Sequence, residues 1–279
     1  MRRILTSAVV VAWVVGGAST AFCEDLEELI LDLRSRSENK RVEACRDLNR
    51  MGPPALPAAP HLARLVTSDR SDKVREVALD ALWRIGPAAI GTAVELLNQK
   101  DPRGRSSGVQ LLTWWEEKLT EDLLRPHVEG LVRALEHPEC RSHCVGLLAR
   151  KGGVEAIGPL LRLLGERDDE TRTAAIQALA GPARQDLAAV CRCLETDARS
   201  RVRAGAAEAL GRMGEAASEA IDALLAALDD PQQEVVLQAA KALGHIGEHP
   251  DRVVPRLLEG VASPVPAVRE ACLQAAAEY

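Results

Sequence analysis

The feature that most constrains this chain is a helical register that returns eight times, at intervals of roughly 30 to 36 residues. Its clearest form is an Arg, a small residue three positions on and a Leu seven on. It reads Arg41-Ala44-Leu48, Arg75-Ala78-Leu82, Arg105-Gly108-Leu112, Arg141-Cys144-Leu148, Arg172-Ala175-Leu179 and Arg203-Ala206-Leu210. Val236-Ala239-Leu243 then keeps the apolar pair, and Arg269-Cys272-Ala276 keeps the Arg. A single helix pair cannot bury its apolar face alone, so units with such a period stack and share one continuous core.

Each unit carries a second apolar stripe upstream and a turn between the two. In the seventh, Ile221, Leu224, Leu225 and Leu228 recur at helical spacing, Asp229-Asp230-Pro231 breaks the pattern, and Val235, Ala239, Ala242 and Ile246 resume it. Gly52, Gly86, Gly152, Gly214 and Gly247 stand where the second helices should stop and suit left-handed caps. No run of β-branched or aromatic residues has period two, so the fold class is all-α.

The segments Asp69–Gly86 (DRSDKVREVALDALWRIG), Asp197–Gly214 (DARSRVRAGAAEALGRMG) and Asp230–Gly247 (DPQQEVVLQAAKALGHIG) resemble HEAT repeats, in particular the short bilin-lyase-type subfamily. The resemblance runs over nearly everything after Phe22, with units three and four the most diverged. It implies a right-handed α-solenoid of about eight stacked helix pairs over 24–279, with protein binding as the usual role. It also implies that the repeated Arg is structural, in a ladder between adjacent units. Acids do stand six residues before three of these arginines: Asp69 before Arg75, Glu166 before Arg172 and Asp197 before Arg203.

Composition narrows the function further. The chain has 279 residues, 47% hydrophobic but only 2% aromatic, so Ala, Leu and Val supply the core volume and an aromatic-lined pocket is not expected. A net charge of -6 argues against nucleic acid, which calls for a basic footprint. No Gly-rich phosphate loop, GxSxG or HExxH occurs. Relatives of this repeat type include enzymes, and a metal- or pigment-linked enzyme is the alternative reading. Yet deoxyhypusine hydroxylases carry iron on His-Glu dipeptides, and none of the six His here precedes a Glu. The expectation is a non-catalytic scaffold without a cofactor, whose partner is another protein.

Residues 1–23 differ in kind. Arg2-Arg3, the apolar run from Ile4 to Val15 and the small residues Gly16 to Ala21 together read as a signal peptide, cleaved after Ala21 or Cys23. This predicts an exported protein, periplasmic or extracellular, tethered to a membrane only if the segment is retained. With export the cysteines matter, but none of their spacings forms a disulfide framework. His137, Cys140, His143 and Cys144 are the one grouping with zinc-like chemistry. Cys140 and Cys144 already fall on core columns, and His137-Pro138 reads as the turn into the helix, so packing explains them without a metal.

The binding surface is expected on the second helices, one, five and nine residues after the Arg column. Its ninth positions include Arg50, Arg84, Trp114, Arg150, Gly181 and Arg212. Basic residues at helix C-termini suit the macrodipole by themselves. Trp114 is different: Trp115 takes the core position aligned with Ile85, which leaves its neighbour outward beside Trp83. Trp83, Arg84, Trp114, Arg150 and Arg212 are therefore the candidate binding residues. At the other end, Val261, Val265 and Leu273 should remain outward on the last unit, a face suited to self-association.

Overall fold

The computed structural model describes residues 19–279, with side chains from Asp25 onward. The expected signal segment lies outside these as far as position 18, and the first helix starts at Ser19, upstream of both expected cleavage points.

Eight helix pairs follow in order: α1 (Ser19–Asp32) with α2 (Glu38–Met51), α3 (Ala59–Ser68) with α4 (Asp72–Ile85), and α5 (Ile90–Leu97) with α6 (Pro102–Trp115). The fourth unit splits its first helix into α7 (Glu121–Leu124) and α8 (Val128–Arg133), paired with α9 (Pro138–Lys151). Pro126 sits in the 3-10 turn between the halves, where it withholds an N–H and interrupts the helix. Then come α10 (Ile157–Leu163) with α11 (Asp169–Leu179), α12 (Leu187–Thr196) with α13 (Ser200–Met213), α14 (Ile221–Ala227) with α15 (Gln233–Ile246), and α16 (Pro250–Gly260) with α17 (Pro266–Ala277). Among the described residues there is no strand.

First helices stack on first helices and second on second, which makes two layers around a shared core. Five of the second helices start at a side-chain cap or an N1 proline. Ser71 accepts from Val74 N–H and Asp168 from Thr171 N–H at 2.8 Å, while Pro102, Pro138 and Pro266 open α6, α9 and α17. Ala78, Cys144, Ala175, Ala206, Ala239 and Cys272 of the small column are fully buried, as are Leu82, Leu112, Leu148, Leu179, Leu210 and Leu243 of the Leu column. The small column lets backbones approach, and the Leu column fills the layer between them.

Neighbouring backbones also approach closely where the column after the Leu is small. A Cβ on Gly211 would lie 2.9 Å from Ala242 Cα, and one on Gly244 would lie 2.9 Å from Ala275 Cα. At Gly181 a Cβ would overlap the carbonyl of Ala149, so this ninth position is a packing glycine and not part of an outward face. Two further expectations need correction. Val42 and Ala204, each one residue after the Arg column, are buried and not outward. The positive φ that ends the fourth unit belongs to Gly153 (φ 61°), since α9 runs to Lys151 and leaves Gly152 near-helical at φ -71°.

Candidate functional site

The second-helix layer presents one exposed aromatic pair. Trp83, at the end of α4, is 46% exposed, and Trp114, at the end of α6, is 41% exposed. Their ring centroids lie 6.0 Å apart at an interplanar angle of 68°, an edge-to-face contact across the seam between units two and three. The pair rests on Trp115, which is 2% exposed and donates its indole N–H to the Trp83 carbonyl at 3.1 Å. That bond satisfies a carbonyl that the end of α4 would otherwise leave open. One tryptophan in the core thus anchors the backbone that carries Trp83.

The basic candidates divide. Arg84 follows Trp83 on the surface and joins no ion pair among the described residues. Arg150 pairs with Glu116, just past Trp114. Beside it Lys151, which the sequence reading missed, donates to the carbonyls of Glu116 (2.5 Å) and Leu119 (2.8 Å) and caps the end of α6. Arg212 is three units away and pairs with Glu208 on its own helix at 3.1 Å. The structure therefore brings Trp83 and Trp114 together, leaves Arg84 exposed next to Trp83 on α4, and engages Arg150 and Arg212 in ion pairs. Further along the layer, the first and fifth positions after the Arg column in units three to five are uncharged: Ser106, Gln110, Ser142, Gly146, Thr173 and Gln177. There a 510 Å3 hollow opens between α9 and α11, lined by Ser142, Val145, Thr173, Ala174 and Gln177 together with the charged Arg141, Asp169 and Glu170.

The Arg column is occupied in a regular way, with different partners from those the spacing suggests. Six of the seven arginines reach back to the main chain six residues earlier: Arg41 to Ser35 O (2.8 Å), Arg75 to Asp69 O (2.6 Å), Arg105 to Gln99 O (2.8 Å), Arg141 to Leu135 O (2.9 Å), Arg203 to Asp197 O (2.8 Å) and Arg269 to Ser263 O (2.9 Å). Asp69 thus offers its own unit a carbonyl, and its carboxylate goes to the preceding unit. Arg41 holds Asp69 through two bonds (2.7 and 3.0 Å), and Arg203 holds Asp230 likewise (2.7 and 2.9 Å). Where the aligned turn position is Gln99 or Leu135 and not an acid, the Arg takes another partner: Arg75 pairs with Asp72 and Arg105 with Glu139. Burial alone would raise the Asp69 carboxyl, but the bonds from Arg41 and Ser71 N–H outweigh it and hold it below the usual range.

The ladder breaks at Arg172. Its expected acid, Glu166, joins no ion pair among the described residues, and its cross-unit acid, Asp197, is bound by Arg199 (3.1 and 3.2 Å). Arg172 is left 3.9 Å from Glu208 with its buried Nε unpartnered. Arg199 occupies the N-cap of α13 without capping it, where α4 has Ser71 and α11 has Asp168. Arg199→Ser is expected to raise the denaturation midpoint, because it supplies a cap and releases Asp197 toward Arg172. An unchanged or lower midpoint, read at constant denaturant slope, contradicts that account.

The His/Cys grouping does not converge. Cys140 and Cys144 are fully buried, their thiols pushed up by burial, Cys140 to about 11. His143 is held toward its neutral form by burial, with Nε2 unpartnered. Among the described residues, no three His, Cys, Asp or Glu side chains are placed to hold a metal ion, and the cysteines are free thiols. No single helix among them is long and apolar enough to cross a membrane. At the end of the array Val268, Cys272 and Ala275 are buried, whereas Leu258 and Leu273 are 54% and 51% exposed. Tyr279, also missed in the sequence, folds back and donates its hydroxyl to Leu243 O at 2.8 Å.

The described backbone is similar to Kap121p bound to Nup53p and to Kap121p bound to Pho4p. Each has a TM-score of 0.60, 19% identity, and coverage of 91% of this chain and 33% of that one. The chain therefore spans about a third of the length of those solved relatives, and at this identity the likeness concerns the fold. A weaker likeness, TM-score 0.42 and 24% identity, links 54% of this chain with 98% of a chain from the CpcE–CpcF complex of the phycocyanin lyase of Nostoc sp. PCC7120. No curated protein matches the sequence. The family model for HEAT repeats matches residues 128–211 and 187–277, which together span 128–277, more than half of the 279 residues. The chain belongs to the HEAT-repeat family.

Proposed function

We propose that this protein is an exported, non-catalytic scaffold that binds another protein on the face formed by its second helices. The observation that carries the reading is the exposed Trp83–Trp114 pair, held on a buried base by Trp115. Paired indoles at a surface leave apolar area in water, and a partner that covers them recovers it. Arg84 at the rim and the uncharged Ser and Gln positions beyond supply hydrogen-bond groups for a polypeptide backbone. Solved proteins of similar fold, such as Kap121p, are seen bound to other proteins, which supports this kind of use.

The test is affinity capture with the mature chain against Trp83→Ala and Trp114→Ala variants. Each substitution is expected to weaken capture of the partner by about 2 kcal/mol or more, the scale of an interface hot spot, with the melting temperature nearly unchanged. Full retention of the partner by the double variant overturns the assignment of this face. Export is part of the same reading: the purified mature chain should begin at Phe22 or Glu24, colourless and free of metal. An intact Met1 on a cytosolic protein, or bound pigment or iron, contradicts it.

A further inference from the structure

We infer that a hollow between the inter-helix turns of the first two units is a binding site for a short acidic polypeptide segment, gripped by Arg34, Arg36, Arg64 and Arg70. The hollow measures 760 Å3, and these four arginines line it with Arg41, Asp69 and the floor residues Leu33 and Leu65. All four are exposed, and none joins an ion pair among the described residues. The chain as a whole has more acids than bases, 41 against 35, so four unmatched guanidinium groups at one place are a local reversal of sign.

The turns that display Arg34, Arg36 and Arg70 are fixed in advance, and Arg64 stands on α3. Arg41 donates to the carbonyls of Ser35 (2.8 Å) and Arg36 (3.2 Å), which pins the turn that carries Arg34 and Arg36. Its other nitrogens hold the Asp69 carboxylate, and Asp69 Oδ1 accepts from Ser71 N–H at 2.9 Å, which pins the turn that carries Arg70. The first rung of the ladder therefore clamps both edges of the hollow, and less ordering is left for a ligand to supply. Half-buried His61 senses the same field: burial first, and then the charges of Arg34 and Arg64, hold it toward the neutral form.

Guanidinium forks match carboxylates in bidentate geometry. The surroundings select a short peptide over other polyanions. The hollow is concave, and its apolar residues Leu33 and Leu65 are buried, so nothing projects into a bilayer. No aromatic side chain lines it for base stacking. Close by on the first unit, Asp25, Glu28, Asp32, Glu43 and Asp47 line an acidic groove that would repel a long polyanion. A few carboxylates gathered within one Debye length, about 8 Å, avoid that repulsion.

The test uses the purified full chain and labelled hexaglutamate, followed by fluorescence anisotropy at low and at physiological ionic strength. Saturable binding that weakens with salt is expected, with a loss of about tenfold or more in Arg36→Glu/Arg70→Glu. The milder Arg36→Gln/Arg70→Gln is measured beside it, with circular dichroism as the check on folding. On binding, the His61 ring should titrate at higher pH. Absent hexaglutamate binding, binding indifferent to these substitutions, or stronger binding to phosphatidylserine vesicles or a single-stranded oligonucleotide overturns the inference. Trp83→Ala should leave hexaglutamate binding unchanged, so this site and the tryptophan face fail independently.

Discussion

Trp115→Ala is expected to lower the unfolding free energy by about 3–5 kcal/mol, the range for deleting a large buried aromatic. Trp115 is the largest fully enclosed side chain in the described structure and fills the layer between α4 and α6. Alanine would leave a cavity there and also strip the Trp83 carbonyl of its indole donor. Trp115→Phe separates the two effects, since it keeps much of the volume and loses mainly the bond, at a cost of about 1–3 kcal/mol. Denaturant unfolding measures both. In a stacked array each unit leans on its neighbours, so the alanine variant should also show a shallower slope as the seam between units two and three uncouples. A loss below about 1 kcal/mol would mean that the seam collapses around the deletion, against the packing described here.

Arg203→Ala should cost about 2–3 kcal/mol, somewhat below the range for breaking a fully buried pair. Arg203 and Asp230 are 12% and 10% exposed, and the arginine binds both carboxylate oxygens and the Asp197 carbonyl. Its removal leaves an anion and a carbonyl with little water. The pair also predicts a pH dependence. Burial raises the Asp230 carboxyl, but the bonds from Arg203 and Gln232 N–H more than reverse this and hold it below its unfolded value, as Asp69 is held by Arg41. A depressed carboxyl contributes stability that is full above its unfolded pKa, about 3.9, and lost as pH falls through the folded value. Melting temperatures should therefore be level near neutrality and fall below about pH 4. In Arg203→Ala the Asp230 contribution should be absent, so the variant's deficit should shrink as pH drops. A deficit constant down to pH 3 would show that packing, not charge, is what Arg203 provides.

The helices, their pairing and the inward columns were legible in the sequence because each depends on neighbours within one unit. The spacing that places Ala206 and Leu210 on one helical face also places Ala239 and Leu243 there, and all four are fully buried. The exposed Trp114 above a buried Trp115 was legible for the same reason, since adjacent residues on a helix point in different directions. The site as a whole was less so. That Trp83 touches Trp114 depends on how far α6 is displaced against α4, and no periodicity within either helix contains that offset.

The partners of the Arg column show the division most clearly. Six-residue spacing placed an acid near each of three arginines, and within a unit that spacing delivers a carbonyl. The carboxylate reaches the arginine of the unit before, 28 residues away for Arg41–Asp69 and 27 for Arg203–Asp230. Rise and rotation between units decide this, as they decide that Arg199 takes Asp197 from Arg172, that Lys151 caps α6 and that Tyr279 returns to Leu243. By itself the sequence determined a stack of helix pairs with an apolar inner face, because hydrophobic periodicity is a local property that every unit repeats. Only the tertiary structure decided which charges and which aromatics meet, because those contacts join different units across a shared superhelical geometry.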